Sequence, residues 1–276
     1  MQADLDPATL ALASELGRHG LLAYFIALPL LLVTVATLWV AARRWMWPHG
    51  LASQPTALRL TLSLAVGFAA VVAAVWAFAE LAELVGAGDR LGAFDVALSA
   101  AIGRNLPPVA LQAFAWLTHL ADPVTLTVLC VAVAGALLVR GRWGLALAWV
   151  LAVAGNSLLN VTLKAVFERV RPLRMHGLEQ VSGWSFPSGH SSGSVVAYGM
   201  LAYVLTRTLS ARWHLSVVML ATALAFSIGC SRVFLQLHYA SDVAAGFASG
   251  MSWLTLCILA CEWRHHWVGA GLGRIG

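Results

Sequence analysis

Two residues near the C-terminal end of the chain have the types and spacing of an activated histidine. Asp242 follows His238 by four positions, so both side chains can lie on one helical face. A carboxylate that accepts a proton from one imidazole nitrogen leaves the other nitrogen as a base or nucleophile. Arg232 precedes them, and its guanidinium can fork onto phosphate oxygens. The competing explanation is an interfacial salt bridge with a snorkelling arginine, which gives His238 no role.

A second histidine lies at the predicted start of a long apolar helix. Ser188 is a good N-cap, and Pro187 prevents the helix from beginning earlier. The unpaired N–H groups and the dipole at such a helix start favour an anion. His190 lies in the first turn, beside that anion. Taken alone, this segment is explained equally well as an ordinary capped helix with an interfacial histidine.

Basic residues form a third cluster. Lys164 is followed seven positions later by Arg171 and then by Pro172, with Arg169 and Arg174 nearby. Lys164 is also the only lysine among the 17 lysine and arginine residues of the chain. Such residues at a helix end often anchor lipid headgroups, but here they lie where the chain otherwise avoids positive charge. A phosphate group is therefore the expected counterion.

Together the clusters supply three cations, a helix N-terminus, one oriented histidine and one further histidine. They contain no thiolate cluster and no carboxylate pair suited to a divalent ion, so we expect phosphoryl transfer without metal or cofactor. The residues alone do not decide which histidine attacks, although proximity to the carboxylate favours His238 as the nucleophile.

The elements that position these residues are predicted to be membrane-spanning helices. Hydrophobic residues make up 60% of the chain and charged residues only 11%, against about 25% charged in average soluble domains. Continuous rather than alternating apolar runs favour helices over a barrel. Seven runs are long enough to span, at about 20–42, 58–84, 120–140, 143–163, 189–209, 213–230 and 240–261.

Arginine placement predicts the orientation of these runs. If all seven runs span, four clusters fall on one side, which is then cytoplasmic by the positive-inside rule: Arg43, Arg44 and Arg59; Arg140 and Arg142; Arg207 and Arg212; and Arg264. Acidic residues gather on the other side, at Asp4, Asp6, Glu15, Glu80, Glu83, Asp89 and Asp95. The net charge of +5 therefore reflects topology and not nucleic-acid binding. The N-terminus and all three clusters are predicted to face outside.

The motifs resemble the signature of the type 2 phosphatidic acid phosphatase (PAP2) superfamily. Lys164 to Pro172 reads K-x6-R-P, Pro187 to His190 reads P-S-G-H, and Ser231 to Asp242 reads S-R-x5-H-x3-D. The resemblance implies an all-α integral membrane protein with a six-helix bundle at 58–262. Residues 1–57 then carry one extra N-terminal transmembrane helix, and 263–276 form a cytoplasmic tail. An amphipathic interfacial helix, with a turn at Pro107 and Pro108, is expected within 86–119.

The resemblance also implies a role for each site residue. His238 would attack phosphorus to form a phosphohistidine, Asp242 would orient His238, and His190 would protonate the leaving oxygen. The residues implied to hold the phosphoryl oxygens are Lys164, Arg171, Arg232, Ser188 and the amide of Gly189.

The function expected from this resemblance is lipid phosphate or diphosphate hydrolysis at the periplasmic face of a bacterial cytoplasmic membrane. Candidate substrates are phosphatidylglycerophosphate, phosphatidic acid, undecaprenyl diphosphate and lipid A types, that is, a phospholipid or an isoprenoid phosphate. A lipid-to-lipid phosphotransferase would use the same site. A non-enzymatic lipid-binding or transport protein is the alternative from another class, and the intact motifs argue against it.

Overall fold

The computed structural model describes residues 7–46, 56–86, 90–173 and 183–269. All regular secondary structure in the described part of the chain is helical, which confirms the predicted all-α class. In chain order the helices are α1 (Pro7–Arg18), α2 (Gly20–Met46), α3 (Thr56–Gly86), α4 (Arg90–Asn105), α5 (Pro108–Thr118), α6 (Pro123–Val139), α7 (Trp143–Phe167), α8 (Gly189–Thr206), α9 (His214–Phe234) and α10 (Ala240–Gly269).

Five helices in the described part of the chain are long and apolar enough to cross a membrane. They cover Gly20–Arg44, Leu64–Gly86, Trp143–Phe167, Ala211–Phe234 and Ala240–Arg264. The apolar run predicted at 120–140 is instead the second half of a bent pair, in which α5 and α6 meet at 44° and can act as one broken span. The break falls at Asp122–Pro123, because proline at the first position starts a new helix.

Helix α8 is not among these five, although its run was predicted to span. Its first turns are rich in glycine and serine, and eleven of its residues are buried inside the bundle. Their partners are neighbouring helices, since α8 packs against α7, α9 and α10. Helix α8 is therefore the central element around which the others are arranged.

Two glycines allow α10 to pack closely against the start of α8. A Cβ on Gly246 would lie 2.6 Å from the carbonyl oxygen of Ser188, and one on Gly250 would lie 2.9 Å from that of Ser192. Small residues spaced four apart allow membrane helices to approach at the backbone. This packing brings the first turn of α8 next to the first turn of α10.

The N-terminal segment packs onto the bundle through both of its helices. Helix α1 lies on α4, where Gly17 has no room for a Cβ against Ala101. Helix α2 packs against α9, and the hydroxyls of Tyr24 and Ser227 are 2.8 Å apart. The N-terminal helices therefore contact α4 and α9, which both lead into the polar end of the molecule.

The two ends of the bundle differ in their charged residues. At the histidine end, α7 and α9 finish while α8 and α10 begin. At the opposite, arginine end, Arg142, Arg207 and Arg264 surround one cavity and Arg43, Arg44 and Arg212 a second. The predicted arginine clusters thus share one end. Asp4, Asp6, Asp89, Arg174 and the side chain of Arg59 lie outside the described residues.

The segment predicted as an interfacial helix is α4, followed by the turn at Pro107 and by α5. Asp95 on α4 lies at the histidine end, the side predicted for the acidic residues, but it is buried with only 1% of its surface exposed. A buried carboxylate needs a cationic or hydrogen-bonding partner. The structure supplies one at the site described next.

Candidate active site

The turn between α9 and α10 positions His238. The carbonyl oxygen of Arg232 accepts the N–H groups of both Leu237 and His238, at 3.0 and 3.1 Å. Gln236 adopts a left-handed conformation with φ 55°. The side-chain amide of Gln236 donates to the carbonyl of Ser99 at 2.9 Å. This buried anchor fixes the turn and holds His238 just before α10 begins.

The end of α7 positions the cationic side chains. Glu168 takes a left-handed conformation with φ 44°, and its N–H donates to the carbonyl of Lys164 at 3.1 Å. This C-cap ends the helix and turns the next residues back over the bundle. The carbonyl oxygen of Arg169 then accepts the N–H of Ser185 at 2.7 Å. The segment around Ser185 is thereby tied to the end of α7.

His238 is held between a carboxylate and a guanidinium. Its Nδ1 lies 3.4 Å from Asp242 Oδ2. Its Nε2 lies 3.1 Å from Nη1 of Arg171. Since a guanidinium can only donate, Nε2 is the accepting nitrogen, and the proton resides on Nδ1, toward Asp242. This tautomer presents a lone pair on Nε2.

The predicted His238–Asp242 pair therefore exists, but its geometry differs from two residues on one helical face. His238 precedes α10, while Asp242 lies in the first turn and reaches back to accept the N–H of Tyr239 at 2.9 Å. A carboxylate at this position caps the helix start. Asp242 thus stabilises the helix N-terminus and orients the imidazole with one side chain.

A buried network that sequence reasoning missed supports Asp242. Arg169 donates to Asp242 Oδ1 at 2.5 Å and to Asp95 Oδ2 at 2.9 Å. The Ser185 hydroxyl donates to Asp242, and the Ser241 hydroxyl donates to Asp95. The guanidinium also lies 4.5 Å from the ring centroid of Tyr239. Arg169 is thus a bridge between two buried carboxylates.

Burial sets the protonation state of His238. Desolvation lowers the pKa of His238 to about 3, the charges of Arg171 and Arg232 act in the same direction, and Asp242 opposes them. The imidazole is therefore neutral at physiological pH. Burial also raises the pKa of Asp95, whereas for Arg169 the two carboxylates outweigh burial and raise its pKa.

His190 also has a carboxylate partner, which the sequence did not reveal. Its Nε2 lies 2.9 Å from Asp122 Oδ1, and Oδ2 of the same carboxylate lies 2.7 Å from Nδ1 of His119. Asp122 comes from the break between α5 and α6, 68 residues before His190. Because both histidines have a carboxylate, that proximity alone no longer favours His238. Burial still favours His238, because the pair of His238 with Asp242 is almost fully enclosed by the protein.

The three predicted cations come together around the histidines. Nζ of Lys164 and Nη2 of Arg171 both donate to the carbonyl of Trp184, at 2.7 and 3.1 Å. Arg232 is fully buried, and its Nη1 donates to the Thr118 hydroxyl at 2.7 Å. The charges of Arg232 and Lys164 both act on His190. A snorkelling role for Arg232 is therefore excluded.

The start of α8 matches its prediction. Ser188 is the N-cap, and its hydroxyl accepts the N–H of Ser191. Its own N–H donates to the carbonyl of Asp242 at 2.9 Å, which joins the two helix starts. A Cβ on Gly189 would lie 2.9 Å from Oδ1 of Asn160 on α7. Glycine therefore permits the close approach of α8 to α7 at the site.

The structure brings together all eight residues predicted from the sequence, and it adds Asp95, Asp122, Arg169 and Ser185. Arg169 was noted only as a neighbour of the motif. Its position just after an apolar run was the one available signal, whereas Asp95 and Asp122 lie in segments without chemical motifs. Within the described residues, no group of three or more His, Cys, Asp or Glu side chains is placed to hold a metal ion.

This arrangement can carry out nucleophilic transfer of an anionic group. A neutral imidazole offers a lone pair, a second imidazole is available for proton transfer, and three cations with a helix N-terminus surround the pair. Fold and site together define a helical membrane protein with a cationic, histidine-containing site suited to an anionic group.

Comparisons with known proteins agree with this class. The family model described as "PAP2 superfamily" matches residues 143–266. A protein of Bacillus subtilis (strain 168), "Phosphatidylglycerophosphatase B", is 34% identical over 160 residues, which are 57% of this chain and 78% of that protein.

Two solved structures are also similar. The transmembrane PAP2 type phosphatidylglycerolphosphate phosphatase from Bacillus subtilis has 31% identity and a TM-score of 0.66, and the match covers 70% of this chain and 96% of that one. Aquifex aeolicus LpxE has 22% identity and a TM-score of 0.45, with 58% and 92% coverage.

The chain belongs to the PAP2 superfamily. It is a multi-pass membrane protein and a metal-independent phosphatase acting on a phosphate ester, which confirms the resemblance stated from the motifs.

Proposed function

We propose that this chain hydrolyses the phosphomonoester of phosphatidylglycerophosphate or a closely related glycerophospholipid, through a phosphohistidine on His238. The observation that carries the proposal is the neutral imidazole of His238, oriented by Asp242 with Nε2 facing Arg171. The choice of substrate is supported by the phosphatidylglycerophosphatases of Bacillus subtilis, to which the chain is similar.

In the first step, Nε2 of His238 attacks phosphorus and an N–P bond forms while the bond to the leaving lipid oxygen breaks. His190 gives its proton to that oxygen, so the lipid leaves as an alcohol. The attacking ring becomes positively charged, and Asp242 stabilises this charge across Nδ1. The cations Lys164, Arg171 and Arg232 hold the phosphoryl oxygens, together with Ser188 and the Gly189 amide at the helix start.

In the second step, water attacks the phosphohistidine and His190 accepts its proton. The N–P bond breaks, inorganic phosphate leaves, and His238 returns to its neutral form. Asp122 has a positioning role in both steps, because it fixes Nε2 of His190 at 2.9 Å. Burial and the charge of Arg232 lower the pKa of His190 to about 4, and Asp122 opposes this shift, so it favours the charged form that donates the proton. Its second oxygen bonds the partly exposed His119, which connects the acid to solvent.

The site is proposed to face the periplasm of a bacterial inner membrane. Support comes from the separation of the two ends, since the arginine end gathers residues from α2, α7, α8, α9 and α10. Arginines next to membrane-spanning helices accumulate on the cytoplasmic side. The histidine end then lies outside, as predicted from the sequence.

The proposed activity and its orientation can be tested together. Spheroplasts expressing the protein should release inorganic phosphate from added phosphatidylglycerophosphate in the presence of EDTA, while inverted vesicles should do so only after detergent treatment. Vanadate should inhibit, since it mimics the trigonal-bipyramidal phosphoryl group.

His238→Ala membranes serve as the control for this assay. Activity lost with EDTA and restored by Mg²⁺ would contradict the metal-free mechanism, and activity in sealed inverted vesicles would contradict the orientation. Transfer of label to a second lipid without phosphate release would identify a phosphotransferase, which uses the same residues.

Lys164→Arg is expected to fold normally and to lose most of its kcat despite its unchanged charge. Lys164 shares the Trp184 carbonyl with Arg171, so a planar guanidinium there would compete with the Arg171 fork for the same oxygens. A misplacement of ~1 Å can cost ~10²-fold in rate. The measurement is phosphate release by purified protein of matched thermal stability. Near-wild-type turnover would show that charge alone matters. The control variant Lys164→Met shows the effect of losing the positive charge.

A further inference from the structure

The cavity surrounded by Arg142, Arg207 and Arg264 lies at the arginine end of the bundle, far from the histidines. It has a volume of about 680 Å³ and lies among α7, α8 and α10. Its walls are apolar, with Leu145, Ala148 and Leu151 on α7 facing Cys257 and Ala260 on α10. Walls of this kind, in a membrane protein, suit an acyl chain better than a soluble metabolite.

Three arginines surround the mouth of this cavity, one at each of the helices α7, α8 and α10. Arg142 precedes α7, Arg207 caps α8 and Arg264 lies on α10. Nη1 of Arg142 donates to the carbonyl of Arg207 at 3.2 Å. Nη1 of Arg264 lies 3.3 Å from the position that a Cβ on Gly144 would occupy, so its guanidinium lies over the start of α7.

One carboxylate partly compensates this charge. Glu262 lies 3.6 Å from Arg207 and accepts the hydroxyl of Tyr203 at 2.8 Å. Three guanidinium groups and one carboxylate leave an excess of two positive charges around the mouth. Trp143 is largely exposed beside it, as expected for an aromatic residue at the membrane interface.

From this geometry we propose that the cavity binds one anionic glycerophospholipid. The acyl chain lies along the apolar wall, and the phosphate of the headgroup lies between Arg142 and Arg264. Basic pockets between transmembrane helices are suited to anionic headgroups, and arginine pairs with phosphate through two parallel donors. The bound lipid joins α7, α8 and α10, which carry Lys164, His190 and Asp242 at their other ends.

The arrangement goes beyond the distribution expected from topology. The positive-inside rule requires arginines in loops but does not require three of them around one apolar cavity. Arg140 provides the comparison, since it is exposed at the same end, two residues from Arg142, and does not line the cavity.

Native mass spectrometry of the purified protein with graded lipid tests this proposal. Phosphatidylserine is the anionic probe, because it is not the product of the proposed reaction, and phosphatidylcholine is the zwitterionic one. Wild type should retain one phosphatidylserine in preference to phosphatidylcholine. The double variant Arg142→Gln/Arg264→Gln should bind it about thirtyfold more weakly, from about 1 kcal/mol per basic residue, whereas Arg140→Gln should bind as wild type does.

A second variant keeps the arginines and fills the cavity. Ala260→Trp should also lose the tightly bound phosphatidylserine. If the double variant does not fold, Ala260→Trp alone tests whether the cavity binds the lipid. Equal retention of phosphatidylcholine by wild type would overturn the proposal. So would unchanged phosphatidylserine binding in either variant, or an equal loss in Arg140→Gln.

Discussion

His238→Ala is expected to abolish the covalent phosphoenzyme and to lower phosphate release by about 10⁴-fold or more, as removal of a nucleophile does in comparable sites. Among the histidines that the structure describes, only His238 combines a neutral ring, a buried carboxylate on Nδ1 and a guanidinium on Nε2. Rapid quench with ³²P-labelled lipid and detection of acid-labile label measure the effect. Because its pKa is held at about 3, the nucleophile should stay competent throughout the range from about pH 5 to 8.

His190→Ala provides the contrast. Loss of a general acid should slow phosphoenzyme formation by about 10²–10⁴-fold for an alkyl leaving group and much less for an aryl one. Asp122→Asn should also slow phosphoenzyme formation, but by a smaller factor, because Asp122 acts through His190. A labelled phosphoenzyme trapped on His238→Ala but missing from His190→Ala would reverse the two assignments.

Arg169→Met is expected to destabilise the protein by about 3–5 kcal/mol, the usual cost of removing one partner of a buried ion pair. The substitution leaves Asp95 and Asp242 without their shared cation, and both are almost completely buried. Asp242 would then reorient, so turnover should fall together with stability. Thermal unfolding in detergent and kcat on the same preparation measure the two effects.

A double substitution separates charge from packing. Asp95→Asn in the Arg169→Met background should restore part of the stability, since an amide replaces a carboxylate that lost its counterion. Arg104→Met is the matched control, because Arg104 is exposed on the same helix as Asp95. A loss of similar size at Arg104, or no recovery in the double variant, would show that the Arg169 network does not act through charge.

The residues that could be predicted from the sequence are those whose partners are close along the chain. His238 and Asp242 are four residues apart, and Ser188 caps the helix that follows it directly. Such local relations follow from helical spacing and capping preferences. The apolar run at 143–163 likewise predicted α7, because the period and length of a spanning helix are local properties.

The partners that could not be predicted lie far apart along the chain. Arg169 reaches Asp95 and Asp242 across 74 and 73 residues, and Asp122 meets His190 across 68. No spacing rule connects such positions, since only tertiary packing brings their helices together. The enclosure of α8 by other helices could not be predicted for a related reason, because an apolar run does not distinguish a helix facing lipid from one enclosed by other helices.

The contact between α2 and α9 has a consequence for biosynthesis. The Tyr24 hydroxyl meets that of Ser227 across 203 residues of chain. Helix α2 precedes the other described spanning helices along the chain, yet its contact with α9 cannot form until α9 has been made. Individual helices are stable in lipid before they associate, so α2 can wait in the bilayer. Tight docking of α2 onto α9 is thus a late event of assembly, which follows translation of α9.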